Sequence, residues 1–231
     1  MSKPQLFLLH FAGGNRYSFQ FMLPRLADFQ VIPLELPGRG NRTREALLRD
    51  FDMAALDIFK QIKKHLGAVR YLIYGHSMGA YLGLRVANLL SESGFPPSAL
   101  IVSGNPGPGM EDDKKRYLLG RKAFVEELRK LGGVPEELLE NDELLEFFEP
   151  ILRADFEVAE KNDISGEAPL NVPLYAMMGS EEEKTEAIGN WGRYTHSEFR
   201  SEILDGDHFF IHRHPARIAD IIKKCYERAG L

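Results

Sequence analysis

Residues 72–79 read Leu-Ile-Tyr-Gly-His-Ser-Met-Gly, an apolar, β-rich run that breaks into Gly75-His76-Ser77-Met78-Gly79. The spacing G-x-S-x-G, set between a strand-like segment (71–74) and an amphipathic helical segment (80–90), predicts a strand that ends in a sharp turn with a serine at its apex. Glycines at 75 and 79 suit such a turn, because a side chain at either place would collide with its neighbours. The turn would hold Ser77 in a strained conformation with its hydroxyl clear of the sheet. It would also leave the Met78 amide at a helix N-terminus, where an anionic oxygen can be held. An ordinary serine in a tight strand–helix turn is the bland alternative.

The rest of the chain supplies a sheet for that turn. Residues 5–10, 31–35, 99–103, 174–178 and 198–204 read as further strands, and 18–27, 52–66 and 215–227 as helices. Strands alternating with helices predict an α/β fold with a mostly parallel, doubly wound sheet. At 231 residues the chain is large enough for one such domain. Residues 105–170 break the rhythm. Asn105-Pro106-Gly107-Pro108-Gly109 is hinge-like, and only helical patterns follow, at 121–131, 135–140 and 142–161. The last has an apolar stripe, including Phe147, Phe148 and Ile151, too wide for one buried face. Either this helix is packed on two sides, or the segment is a lid with one face lining a groove over Ser77. The expected organisation is a core of residues 1–104 and 171–231 with a helical insertion at 105–170.

Composition excludes several function classes. A net charge of −5 and the lack of basic runs give no reason to expect nucleic acid or a membrane surface. A single cysteine, Cys225, excludes an internal disulfide and reads as a half-buried residue of the last helix. No stretch is long and apolar enough to span a bilayer. The start Met1-Ser2-Lys3-Pro4 runs straight towards a strand with no signal-peptide pattern, so a soluble, cytoplasmic protein is expected. No cluster has metal-ligand spacing, and Gly13-Gly14 lacks the other glycines and the lysine of a phosphate loop.

A serine at neutral pH needs a base. In sheets built around such an elbow the order is serine, acid, histidine, with the histidine on the loop after the last strand. His208, in Asp205-Gly206-Asp207-His208, is the candidate; His212 and His214 fall at the closing helix, and His10 is expected to order the loop that follows it. That loop, Phe11-Ala12-Gly13-Gly14, is small enough for backbone to approach a substrate, so the Ala12 amide can join that of Met78 as a second oxyanion donor. The acid should follow the strand at 174–178. The sequence there is Gly179-Ser180-Glu181-Glu182-Glu183, with no aspartate. A glutamate is chemically sufficient to orient and charge-stabilise the imidazole.

Several segments together resemble the type II thioesterases that accompany modular polyketide and nonribosomal peptide synthetases. They are Leu9–Gly14, Leu36-Pro37-Gly38-Arg39-Gly40-Asn41-Arg42, Gly75–Ala80, Leu152-Arg153-Ala154-Asp155-Phe156 and Asp207-His208-Phe209-Phe210. The likeness runs from residue 5 to about 222, and the Pro-Gly-Arg-Gly and Arg-Ala-Asp-Phe segments make it specific. It implies an α/β-hydrolase fold with a mobile helical lid, no cofactor, and release of acyl groups from the phosphopantetheine arm of acyl or peptidyl carrier proteins, clearing misprimed or stalled chains. It implies Ser77 as nucleophile, His208 as base, and the amides of Met78 and Ala12 as oxyanion hole. The family's aspartate falls third after the glycine, at Glu182, which is preferred over Glu181 and then Glu183. The other placement used by relatives holds Asn105, which cannot carry the charge. A monomer is expected, with Phe147, Phe148 and Ile151 lining the lid. Arg16, Arg39, Arg42 and Arg44 follow the first two strands and can rim the same end of the sheet. Arg42 and Arg44 are the candidates for docking an acidic carrier, and Arg39 is as well suited to holding its own loop. The rival readings are a medium-chain fatty acyl thioesterase or carboxylesterase, and a non-catalytic binding protein of the same fold.

Overall fold

A computed structural model describes residues 3–67, 70–110 and 114–229; the chain start Met1-Ser2 and positions 111–113 of the insertion lie outside the described residues. The strands are β1 (Gln5–Leu9), β2 (Gln30–Pro33), β3 (Tyr71–His76), β4 (Ala99–Ser103), β5 (Leu174–Gly179) and β6 (Phe199–Leu204). They form one sheet in the order β2-β1-β3-β4-β5-β6, with every neighbouring pair parallel. This is the doubly wound α/β architecture expected of an α/β hydrolase. The chain lays β2 on one side of β1 and then returns to lay β3 on the other. The winding therefore reverses between β1 and β3, and in such sheets the crevice at the strands' carboxyl ends beside that switch point receives ligands.

Alternation along the strands explains both helical layers. Phe7, Leu9, Ile73, Leu100 and Val102 face α1 (Phe51–His65) and α2 (Met78–Glu92). Leu6, Leu8, Leu72, Tyr74 and Ile101 face α6 (Pro215–Arg228). With both faces covered, the inner strands read as continuous apolar runs in the sequence. One expected helix is different. Residues 18–27 form only a 3-10 stretch over Gln20–Arg25, because Pro24 inside it lacks an amide hydrogen and crowds the preceding turn. Its apolar spacing has a separate cause: Phe19, Met22 and Leu26 are all buried beneath α6.

Between β4 and β5 lie α3 (Arg121–Leu131), α4 (Glu136–Leu139) and α5 (Asp142–Glu160). Phe124, Leu128, Leu139, Leu145 and Leu152 close into a small core of their own. Further along, Val158, Ile164 and Leu170 join the core of the main body. The wide stripe of α5 is thus packed on two sides, as one of the two sequence readings has it, while Leu144 and Phe147 stay exposed. Among the described residues, no helix is long and apolar enough to cross a membrane.

Candidate active site

Four consecutive strands each release a polar residue at their carboxyl ends. Ser77 follows β3, Asn105 follows β4, Glu182 follows β5 and His208 follows β6. Parallel pairing keeps these ends level, so residues far apart in sequence meet at one edge.

The elbow is built as its glycines require. A side-chain carbon on Gly75 would strike the carbonyl of Gly79, and one on Gly79 would strike the carbonyls of Leu9 and His10. Only bare backbone lets the start of α2 sit so close to the ends of β1 and β3. Ser77 is held at φ 55° and ψ −118°, in the region that ordinary residues avoid. Its amide donates to the Ser103 carbonyl at 2.7 Å, and its carbonyl accepts from the Asn105 side chain (Nδ2) at 3.0 Å and from the Ala80 amide at 2.9 Å.

Zipped loops hold His208 against Glu182. Ser180 and Glu181 donate their amides to the carbonyls of Leu204 and Gly206, at 2.7 and 2.9 Å, and Gly206 donates back to Ser180 Oγ. Gly179 must be bare here too, since a side chain would meet the carbonyls of Gly206 and Asp207. Glu182 then folds back over its own turn. Its Oε1 accepts from the Gly179 amide at 2.7 Å, and its Oε2 lies 2.7 Å from His208 Nδ1. On the far side of the ring, His208 Nε2 lies 2.9 Å from Ser77 Oγ. Hydroxyl, imidazole and carboxylate therefore form one continuous chain, with the carboxylate almost wholly shielded from water (side chain 8% exposed). Of the three glutamates, 181 and 183 are exposed and only 182 faces the histidine. Asp207, adjacent to His208, instead caps the Phe209 amide at 2.8 Å.

Neither the Ala12 amide nor the Met78 amide has an acceptor among the described residues. The first heads a loop pinned by His10, whose Nδ1 donates to the Phe11 carbonyl at 2.8 Å while its Nε2 faces the Leu36 amide at 3.4 Å. Burial, with help from the Arg39 guanidinium, pushes His10 down to about 4, so it stays neutral at pH 7 and keeps this donor–acceptor pattern. His76, under the His208 ring at 5.0 Å between centroids, is held well below the usual histidine range by burial. Its Nδ1 meets Ser103 Oγ at 2.8 Å, which in turn meets the Tyr74 hydroxyl at 2.9 Å. Burial also pushes the Cys225 thiol up to about 12, which makes it a poor rival nucleophile. Among the described residues no cluster could hold a metal ion.

The insertion reaches this edge at two glycines. A side chain on Gly13 would run into Leu152 of α5, and one on Gly133, just after α3, into the ring of Phe209. Phe209 in turn packs edge-on against Phe11 and His208. Asp155 of α5, fully buried, grips the 11–14 loop. Its Oδ2 accepts from the Gly13 amide at 2.7 Å, and the carboxylate pairs with both terminal nitrogens of Arg39, at 2.5 and 2.7 Å. The Pro-Gly-Arg-Gly and Arg-Ala-Asp-Phe segments are thus partners, a pairing that nothing in the separate motifs signals. Arg39 is 4% exposed and belongs to this joint, not to the rim. Arg42 is also engaged, with its guanidinium bound by Asp57 at 2.6 and 2.9 Å and by Glu45. Arg44 is exposed and has no ion pair among the described residues. Phe148 packs on the insertion's core and Ile151 is buried, leaving Phe147, at 62% exposure, as the one side chain of the three that faces solvent.

The comparisons with known proteins agree on one group. A family model described as a thioesterase domain matches residues 4–226. The chain is 31% identical to the protein named linear gramicidin dehydrogenase LgrE of Brevibacillus parabrevis, over 94% of this chain and 86% of that one. It is 30% identical to the thioesterase PikA5 of Streptomyces venezuelae, over 88% and 74% of the two chains. Among solved structures, YbtT, a type II thioesterase from the yersiniabactin NRPS/PKS pathway, superposes with a TM-score of 0.89. It is 27% identical, with 99% of this chain and 94% of that one covered.

Proposed function

This chain belongs to the thioesterase family and is a thioester hydrolase, and from that premise we propose a serine mechanism acting on acyl or peptidyl groups carried by the phosphopantetheine arm of carrier proteins. The observation that carries the reading is the unbroken chain Ser77 Oγ–His208 Nε2, His208 Nδ1–Glu182 Oε2. As Ser77 Oγ attacks the thioester carbonyl carbon, its proton passes to Nε2. The imidazolium so formed is stabilised through Nδ1 by the shielded carboxylate. The carbonyl oxygen, now an anion, meets the free amides of Met78 and Ala12, the first at the N-terminus of a 15-residue helix. Collapse expels the pantetheine sulfur, and a thiol with an ordinary pKa of about 8.5 needs little protonation to leave. Water, deprotonated by the same histidine, then frees the acyl group from Ser77.

The insertion supports a lid role, because it touches the oxyanion loop through Leu152 and the histidine loop through Phe209. Residues 105–170 cover the acyl site in this reading, with Phe147 at its outer mouth. The carrier approaches the same rim, where Arg44 offers an exposed positive charge. In this reading the protein is a cytoplasmic monomer that edits misprimed or stalled chains; the NRPS/PKS pathway given for YbtT supports its serving a modular synthase. Turnover of an octanoyl carrier thioester, octanoyl-CoA and a simple octanoyl ester tests it. The carrier thioester should have the highest kcat/KM, and Ser77→Ala should lower kcat by about four to six powers of ten without unfolding the protein. Arg44→Glu should raise KM about threefold for the carrier substrate and leave octanoyl-CoA unchanged. Equal kcat/KM on all three substrates would remove the carrier from the reading.

A further inference from the structure

Asn105 stands where β4 ends, has a buried side chain, and is used neither as acid nor as base. Its Nδ2 donates to the carbonyl of Ser77 at 3.0 Å. That carbonyl belongs to the peptide joining Ser77 to Met78, and among the described residues no peptide bond is cis. A trans peptide is flat, with its C=O and N–H pointing in opposite directions. Whatever fixes the Ser77 carbonyl therefore fixes the direction of the Met78 N–H. We propose that Asn105 is a positioning residue which, by holding the Ser77 carbonyl from behind, aims the Met78 amide at the oxyanion. The inference rests on the serine mechanism above.

Three observations make this more than a structural tie. Ser77 sits in a strained conformation, so its flanking peptides need outside support to keep one orientation. The Ala80 amide also reaches the Ser77 carbonyl, but it moves with the helix; Asn105 is the contact that ties this peptide to the sheet. The end of β4 thus clamps both sides of the serine, with the Ser103 carbonyl taking its amide and Asn105 its carbonyl. Finally, Asn105 Oδ1 is buried without a hydrogen-bond partner. A residue selected for stability alone would satisfy both ends of its amide or be apolar. Here only the end facing the elbow is used. The backbone of Asn105 is itself anchored, with its carbonyl accepting from Trp191 Nε1 at 3.0 Å.

The test compares Asn105→Leu, which has similar bulk and no donor, with Asn105→Ala. Both are measured for kcat and KM on an octanoyl thioester, for inhibition by an octyl boronic acid, and for melting temperature. The boronic acid reports the oxyanion site. Ser77 Oγ adds to boron, its proton passes to His208, nothing leaves, and one hydroxyl of the tetrahedral boronate takes the oxyanion position. A misaimed amide should lower kcat by about tenfold to a hundredfold, less than outright loss of an oxyanion donor. KM should stay within about twofold, and the boronate inhibition constant should rise by the same factor as kcat falls. The melting temperature of Asn105→Leu should not drop, because the unsatisfied Oδ1 is gone. Unchanged boronate affinity overturns the proposal, whatever happens to kcat; so does a change confined to KM. If Asn105→Leu does not fold, Asn105→Ala decides by the same readouts. Ser77→Ala separates the two levels of inference. If it is as active as the wild type, the serine mechanism fails; if it is inactive while the Asn105 variants bind boronate normally, only the role of Asn105 fails.

Discussion

The catalytic edge and the helical insertion solve the same problem, holding polar side chains in place, by opposite means. At the edge, each group is delivered by a strand whose register is set by parallel pairing, and the adjoining loops are zipped by backbone hydrogen bonds such as Ser180 to Leu204 and Glu181 to Gly206. Its precision comes from the main chain, and it needs glycines at 75, 79 and 179 to let backbone touch backbone. The insertion has no such frame. It has a five-residue core of its own, and one buried ion pair, Arg39–Asp155, joins it to the loop that carries Ala12. A sheet edge gives rigidity at the reacting atoms, whereas the insertion's small core is held to the body through side chains, by the Arg39–Asp155 joint and by Val158, Ile164 and Leu170 in the main core. This division accords with the proposed lid role of the insertion over a fixed Ser77–His208–Glu182 chain.

The largest effect that sharpens this contrast is at Glu182. Glu182→Gln keeps the size of the side chain and removes the charge that stabilises the imidazolium, so kcat should fall by at least about a hundredfold with little change in stability. Glu181→Gln and Glu183→Gln, on exposed neighbours, and Asp207→Asn should leave kcat within about twofold. Steady-state kinetics of the four variants check this. Near-normal turnover of Glu182→Gln would move the acid elsewhere.

Next in size is the joint itself. Asp155→Ala strands a buried guanidinium, which should destabilise the protein by about 3–5 kcal/mol in urea unfolding. Amide hydrogen exchange should rise first at residues 12–14 and 142–160, while β3–β6 stay protected. Arg39→Met with Asp155→Leu should recover most of the stability, since an apolar pair of similar bulk avoids burying charge. If exchange rises equally across the sheet, the two regions are one cooperative unit and the contrast fails.

The smallest effect is on pH. His10 has a folded pKa of about 4 against an ordinary value of 6.5. The unfolded chain therefore takes up a proton first as pH falls. This contribution is full above pH 6.5 and is lost steadily between 6.5 and 4, the loss amounting to about 3 kcal/mol by pH 4. His76 acts in the same direction. Urea unfolding of the wild type and His10→Asn across pH 4–8 should show a shallower decline for the variant. Parallel curves would mean that His10 is not the neutral pin of the oxyanion loop.

The sequence revealed the two regions unequally for the same physical reason. Ser77, His208 and the 179–183 loop were legible because each follows the end of a strand readable in the sequence, and strand order fixes where it must land. Glu182 was separable from its neighbours only by the resemblance, since three consecutive glutamates give no clue to which one turns inward; the Gly179 amide, which donates to the folded-back carboxylate, decides it. The Arg39–Asp155 pair spans 116 positions and joins a loop to a helix, with no periodicity to announce it. Arg42 looked like a free surface charge because Asp57, which binds it, lies on another element. The 3-10 stretch over Thr185–Tyr194, which buries Trp191, escaped notice because Gly189 and Gly192 break any helical pattern. Asn105 drew attention as part of a hinge-like loop and as an absent acid; its donation to Ser77 depends on the turn after β4, which local sequence does not specify.

The central claim is that the carboxyl edge of β3–β6 activates Ser77. A fluorophosphonate probe measures this directly, because phosphonylation forms an oxygen–phosphorus bond at the serine, expels fluoride, and needs a base to take the serine proton. Intact mass and peptide mapping over time should show one probe per chain on Ser77 in the wild type, labelling slowed by at least about a hundredfold in Glu182→Gln, and none in Ser77→Ala. A folded wild-type protein that remains unlabelled, or carries the probe on another residue, would contradict the account.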